Sequence, residues 1–429
     1  MRHVVPRYGW LWCLCVSALL PLSAQAQVLE RLIASALASH PAAQGQRALV
    51  QSAKSGVESA GWQFYPTPSI TVEAANAGGS DPLYQGDNRV TVLRLQQPLW
   101  SGGRLSSGMD KAEAVLAMNQ AMLEEVRLQL SLRVVQTYGD WFSAQLKFLA
   151  LDKSLATHVR LREQVKRRLA EGASAESDLV LAVARLEAIS SEVSAVRAQR
   201  DIAVARLGQL LGHPVDGGAL VAAPASPREL NGNVQVLLEM AIGINPTVAK
   251  VQAQARVQEA VIGERRADMS PEVYARVERQ YGNYNSPLSA PVNRLFIGLT
   301  SRFGAGLSTL SSVEAARSQH VAALNEIEVQ SRNVRELVLA DHALAGSAAS
   351  RMTSIRASLK ATEDVSVSYD RQFLAGRKSW LDVMNAAREL AQTETQLADV
   401  QSTQVVVSWR LAAYTHGLGA VTAVTEGTK

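Results

Sequence analysis

The stretch "FLAGRKSWLDVMNAAREL", residues 373–390, interrupts a long helical pattern with a glycine, and "RLAEGASAESDLVLAVARLE", residues 168–187, does almost the same. Gly172 and Gly376 stand 204 positions apart, and so do Asp178 and Asp382. The match continues outward. The helix after each break carries Leu179, Leu186, Val193 and Leu207 in one half and Val383, Leu390, Leu397 and Leu411 in the other, each again offset by 204. The "SHP" ending at Pro41 pairs with the "INP" ending at Pro246, and Pro66 pairs with Pro271, at an offset of 205. The chain is an internal duplication, and what one half does structurally the other repeats.

Each half reads as helix, two strands, long helix, tight turn, helix. The first repeat covers residues 27–225, with a strand pair over 66–98, a long helix over 103–170 and a second helix over 174–212. The second repeat covers 226–429, with a helix over 246–266, strands over 271–303, a long helix over 306–375 and a last helix over 379–416. In the first long helix Met109, Leu116, Leu123 and Leu130 recur every seven residues beside Leu105, Ala112 and Val126, which is coiled-coil spacing. About 67 residues at 1.5 Å each make a rod of about 100 Å, far longer than the roughly 30 Å core of a bilayer.

The strand regions alternate with period two. Val273, Ala275 and Val277 interleave with Glu272, Tyr274, Arg276 and Glu278, and Leu295, Ile297 and Leu299 interleave with Arg294, Phe296, Gly298 and Thr300. In the first half the alternation is less clean, and Arg94 fits either face. Strands of this length with one polar face suit a transmembrane β-hairpin, although a half-buried soluble hairpin gives the same pattern. Four strands cannot close a barrel whose smallest single-chain form has about eight. Either several subunits share one barrel, or the strands are not in lipid.

Composition narrows the function. Residues 1–26 read as a secretory signal peptide: Arg2 and Arg7 precede the apolar run "GWLWCLCVSALLPL", and Ala24-Gln25-Ala26 follows as a cleavage site. Both cysteines, Cys13 and Cys15, lie inside it, so the mature chain has no thiol for disulfides or metal ligation. Removing Arg2 and Arg7 lowers the formal charge from +4 to +2, too little for a nucleic-acid partner. The seven histidines are scattered without metal-ligand spacing, and no nucleophile elbow or phosphate loop occurs. The sequence therefore predicts no enzyme, no catalytic residue, no cofactor and no metal site.

The twofold repeat, the strand-to-helix passage "QPLWSGGR" at 97–104 and the turn "FLAGRKSWLDVMNA" together resemble the TolC family of outer-membrane efflux proteins over essentially the whole mature chain. The segments "AGRKSWLDV" and "WRLAAYTHG" look most like its Lap-type branch, which serves type I secretion of large adhesins. The resemblance implies a mainly α fold with a β-barrel part. A homotrimer would form a twelve-stranded transmembrane barrel continuous with a hollow α-barrel that crosses the periplasm. It implies outer-membrane lipid around the barrel, a periplasmic adaptor (membrane fusion protein) at the tips and an inner-membrane ABC transporter, or another inner-membrane pump. The expected function is the exit duct of a tripartite export machine carrying an adhesin. The alternative within the family is a drug or metal efflux pump. Outside it, a periplasmic coiled-coil adaptor or scaffold would explain the rods but has no need of the strand pairs.

Carried over by position, Asp382 matches a carboxylate that rings the periplasmic aperture, and Asn385 stands where better-known members have a second. Phe373 and Lys378 stand where a tyrosine and an arginine tie one hairpin tip to its neighbour, and Asp178 matches their acidic partner. Gly172 and Gly376 form the tip turns, and Arg168, Leu169, Glu171 and Arg377 are candidates for adaptor docking. A second reading stays open for the acids. Asp382 lies three residues after Ser379 and Asp178 lies near Ser174, so both suit helix caps.

Overall fold

The structure is a computed structural model that describes residues 28–76, 83–220, 233–286, 290–301 and 308–419. The segment read as a signal peptide lies outside the described residues. The first repeat comprises α1 (Val28–Ser39), α2 (Pro41–Trp62), β1 (Thr67–Ala74), β2 (Arg89–Trp100), α3 (Arg104–Ala170) and α4 (Glu176–Leu211). The second comprises α5 (Val234–Ile244), α6 (Pro246–Ala267), β3 (Glu272–Tyr281), β4 (Val292–Thr300), α7 (Ser308–Leu374) and α8 (Trp380–His416). The architecture is the expected one: mainly helical, with one small antiparallel sheet.

Two helices, not one, precede each strand pair. His40 and Asn245 sit before prolines, where the α conformation is disfavoured, and both adopt extended backbone with ψ of 129° and 123°. Each then caps the next helix. His40 Nδ1 accepts from the Ala42 N–H and Asn245 Oδ1 from the Thr247 N–H, with proline at the first helical position of α2 and α6.

The duplication is met element for element. The helices α3 and α7 each contain 67 residues, and their first and last residues are all offset by 204. Helix α3 leaves the end of β2 and runs about 100 Å before the chain turns back, so the sheet and the helix tips lie at opposite ends of the molecule. In the helical layer α3 packs on α4 and α8, and α7 packs on α8, so α4 and α7 form the outer edges. The largest core lies midway, where α1 and α5 cover the long helices. It is built from Leu29, Ile33, Val134, Tyr138, Trp141, Leu207, Val338 and Trp409. Above it, Met109, Leu116 and Leu123 of the seven-residue row are only half-buried in the single chain.

The sheet is a meander, β1-β2-β3-β4, with both outer edges unpaired among the described residues. The two repeats join along β2 and β3, and this pairing aligns Arg94 with Glu278 and Leu95 with Val277. A register shift between Pro98 and Trp100 lies near the end of that ladder, whose last pair is Trp100 with Val273, just before the chain enters α3.

Candidate functional site

Both hairpin tips close in the same way. The Gly376 N–H donates to the Phe373 carbonyl and the Arg377 N–H to the Gln372 carbonyl, which is the Schellman pattern. Gly172 and Ala173 repeat it on Leu169 and Arg168. The pattern needs a left-handed residue at its centre, and Gly172 and Gly376 supply φ of 73° and 72°. Past each turn a new helix begins, and its cap uses the acid singled out by sequence.

Ser379 Oγ accepts from the Asp382 N–H at 3.1 Å, and Asp382 Oδ2 accepts from the Ser379 N–H at 3.2 Å and its hydroxyl at 2.9 Å. These bonds, with a smaller contribution from Lys378, hold the Asp382 carboxyl below the usual carboxylate range against an opposing desolvation. In the first repeat the cap is Ala175 rather than Ser174. The Asp178 carboxylate accepts from the Ala175 N–H, and no side chain returns the bond. Both acids thus serve as caps. Asn385, one turn beyond Asp382, is exposed.

The remaining tip residues bring the two hairpins of one chain together. Phe373 is buried with Leu161, Val165, Ala182, Trp380, Val383 and Met384. The Arg168 guanidinium of the first hairpin lies 4.7 Å from the Phe373 ring centroid of the second. Arg160 Nη2 adds an ion pair to Asp370 at 2.8 Å. Lys378 packs its ammonium 4.2 Å from the Tyr369 ring of its own hairpin, and among the described residues Asp178 bonds the Ala175 N–H rather than Lys378. Leu169 is half-exposed, and Glu171 and Arg377 are exposed at the turn itself. Tyr369, Asp370 and Arg160 were not singled out by sequence. Long-range pairing between separate helices leaves no local pattern.

At the other end, register sorts the strand residues onto two faces. One carries Ile70, Val72, Leu93, Leu95, Val277, Leu295, Ile297 and Leu299. Ile70, Leu295 and Ile297 are 72%, 72% and 77% exposed, an apolar surface that a water-soluble hairpin would cover. The other face carries Ser69, Arg94, Glu278 and Arg294 in one rung and Thr67, Gln96, Arg276 and Phe296 in the next. Arg94, ambiguous in sequence, belongs to the polar face. Trp62, Phe64, Tyr65 and Trp100 stand exposed at the helix-side rim and Tyr281 near the opposite end, as aromatic girdles do at bilayer interfaces.

Residues 32–213 match the family described as outer membrane efflux protein. Among solved structures the chain aligns with CusC at a TM-score of 0.78 and 18% identity, covering 90% of this chain and 91% of that one. It aligns with VceC from Vibrio cholerae at 0.77 and 17% identity, covering 92% and 96%. The fold is that of the CusC and VceC structures. A sequence relative is the cobalt-zinc-cadmium resistance protein CzcC of Cupriavidus metallidurans, 24% identical over 321 residues, 73% of either chain.

Within this fold one buried charge is unexplained by the tips or the sheet. Asp341 of α7 is 1% exposed and takes an ion pair from Arg410 of α8 at 3.0 Å, while among the described residues its Oδ2 has no hydrogen-bond partner. Burial pushes its pKa up and Arg410 opposes the shift. Among the described residues no group of three or more His, Cys, Asp or Glu could hold a metal ion, and no single helix is long and apolar enough to cross a membrane.

Proposed function

We propose that this chain is the outer-membrane exit duct of a tripartite export machine. The sheet lies in the outer membrane and the helices reach through the periplasm. The observation that carries the reading is the exposed apolar strand face on a sheet with two open edges. In lipid, unpaired strand edges leave backbone groups unsatisfied, so β1 of one copy must meet β4 of another. Three copies with four strands each give twelve. The outer helices support the same closure, because α7 leaves Val321, Leu324, Leu337 and Leu344 exposed and α4 leaves Val180 and Ile202 exposed. A periplasmic scaffold has no use for a lipid-facing sheet.

At the far end, the paired tips offer Arg168, Leu169, Glu171 and Arg377 to a periplasmic adaptor, which links the duct to an inner-membrane transporter. Asp382 lines the aperture while it caps α8; the two roles are compatible, since a cap leaves part of the carboxylate facing solvent.

Two cargo readings each have an observation in favour. The likeness of "AGRKSWLDV" and "WRLAAYTHG" to the adhesin-exporting branch favours a large protein delivered by an ABC transporter. The CzcC relative favours metal or small-molecule efflux. A deletion strain decides between them. Loss of a large surface or supernatant protein supports secretion, and sensitivity to cobalt, zinc or cadmium with an unchanged secretome supports efflux. A deletion strain normal in both respects contradicts the duct reading.

A further inference from the structure

The polar face of the sheet carries an unequal charge at mid-height. One rung aligns Ser69, Arg94, Glu278 and Arg294, and the neighbouring rung aligns Thr67, Gln96, Arg276 and Phe296. These rungs hold three arginines and one glutamate, an excess of two positive charges per chain. Glu278 is spent internally: its Oε1 meets Arg94 Nε at 2.7 Å and Arg276 Nε at 3.0 Å, and it is 8% exposed. Arg294 is exposed and donates to neutral Gln280 at 2.6 Å, so its charge is not compensated there. The two other acids of this face stand off the belt. Glu272 pairs with Arg104 at the helix end, and Glu73 accepts from the Tyr284 hydroxyl near the far end.

The belt is also held against the wall. The Arg276 guanidinium stacks 4.5 Å from the Phe296 ring centroid and 5.7 Å from that of Tyr274. Tyr274 lies across Gly298, where a Cβ would sit 2.4 Å from the ring. The side chains lie along the sheet, and the guanidinium groups remain at a fixed height.

We infer that the polar strand face forms a cationic belt inside the barrel that favours anionic cargo and retards free multivalent cations. This rests on the duct reading, since only closure by three copies turns the face into a lumen. Closure would then set six net positive charges around one level. Low-dielectric walls focus such a field, and its reach at 0.1 M salt is about 10 Å. The belt would act in series with the tips and bears on cargo directly. A free divalent metal ion meets repulsion here, and an anionic small molecule or an acidic stretch of polypeptide does not.

The test is reversal potential across planar bilayers under a potassium chloride gradient, with full-length Asp382→Asn protein so that the tip carboxylate does not contribute. The channel should prefer chloride, and Arg294→Gln should lower the chloride-to-potassium permeability ratio by about twofold or more. Arg294→Lys should keep it. Among the described residues the Arg294 side chain hydrogen-bonds Gln280, and the Arg94–Glu278–Arg276 ion pairs do not use it, so its replacement leaves those pairs in place. Channels that conduct with the same ratio in Asp382→Asn and Asp382→Asn/Arg294→Gln would overturn the belt while leaving the duct standing. Failure to form any channel would overturn the duct, and the belt with it.

Discussion

Gly376→Val isolates the energetics of a hairpin tip. At Gly376 the backbone has φ of 72°, and a Cβ built there meets nothing within 4 Å. The Cβ itself overpacks nothing, so the cost is mainly torsional. Holding an ordinary L-residue in the left-handed region costs about 1–2 kcal/mol, with a β-branched side chain at the upper end. Asparagine, which tolerates this region, should cost least, with alanine between. Because the strain can be relieved by opening the Schellman turn alone, the loss should stay local. Hydrogen exchange at the Gly376 and Arg377 amides, which bond Phe373 and Gln372, should accelerate by about tenfold in the valine variant. Amides of the mid-height core should exchange as before. Export should fall with little loss of protein. Unchanged exchange at both amides, or the order valine, alanine, asparagine reversed, would refute the turn assignment.

Asp382→Asn should weaken block by multivalent cations if the carboxylate faces the pore, and leave conductance selectivity untouched if it serves only as a cap; blocker titration in bilayers distinguishes these. Because the folded-state pKa of Asp382 is depressed, its stabilising effect is present above the unfolded value near 3.9 and lost as pH falls through the folded value. Wild type and Asp382→Asn should accordingly converge in thermal stability only under strong acid. Arg410→Met strands Asp341 in the core and should cost about 3 kcal/mol at neutral pH. The loss should shrink in acid as Asp341 protonates, which a pH series of denaturant melts can measure. Gly139→Ala places a Cβ 2.2 Å from Val406 Cγ2, where α3 crosses α8 and Ser402 donates to the Gly139 carbonyl. About 1–3 kcal/mol should be lost by thermal unfolding, and Val406→Ala should restore most of it.

Much of the fold was legible because the duplication carries no insertion between the start of α3 and the tip. One offset of 204 thus aligns the rods, turns and caps of both halves. The split of α1 from α2 was written in His40-Pro41 and Asn245-Pro246, pairs that read first as repeat markers rather than as breaks. Arg94 could not be assigned to a face because Val90 and Val92 share its side of β2, which blurs the alternation until pairing with Glu278 resolves it. At the tips, the glycines and acids announce themselves locally. Arg168 and Phe373 are 205 residues apart, and no periodicity in either helix signals that they stack. Ala175 displaces Ser174 as the cap of α4 because the Schellman turn fixes where the next helix starts.

The most direct test of the shared barrel is the subunit count of the full-length protein extracted from outer membranes in mild detergent, read by symmetry-resolved imaging. Three copies should appear around one axis, with β1 of each chain hydrogen-bonded to β4 of the next and twelve strands in a closed ring. A stable monomer whose β1 and β4 edges remain open would contradict it.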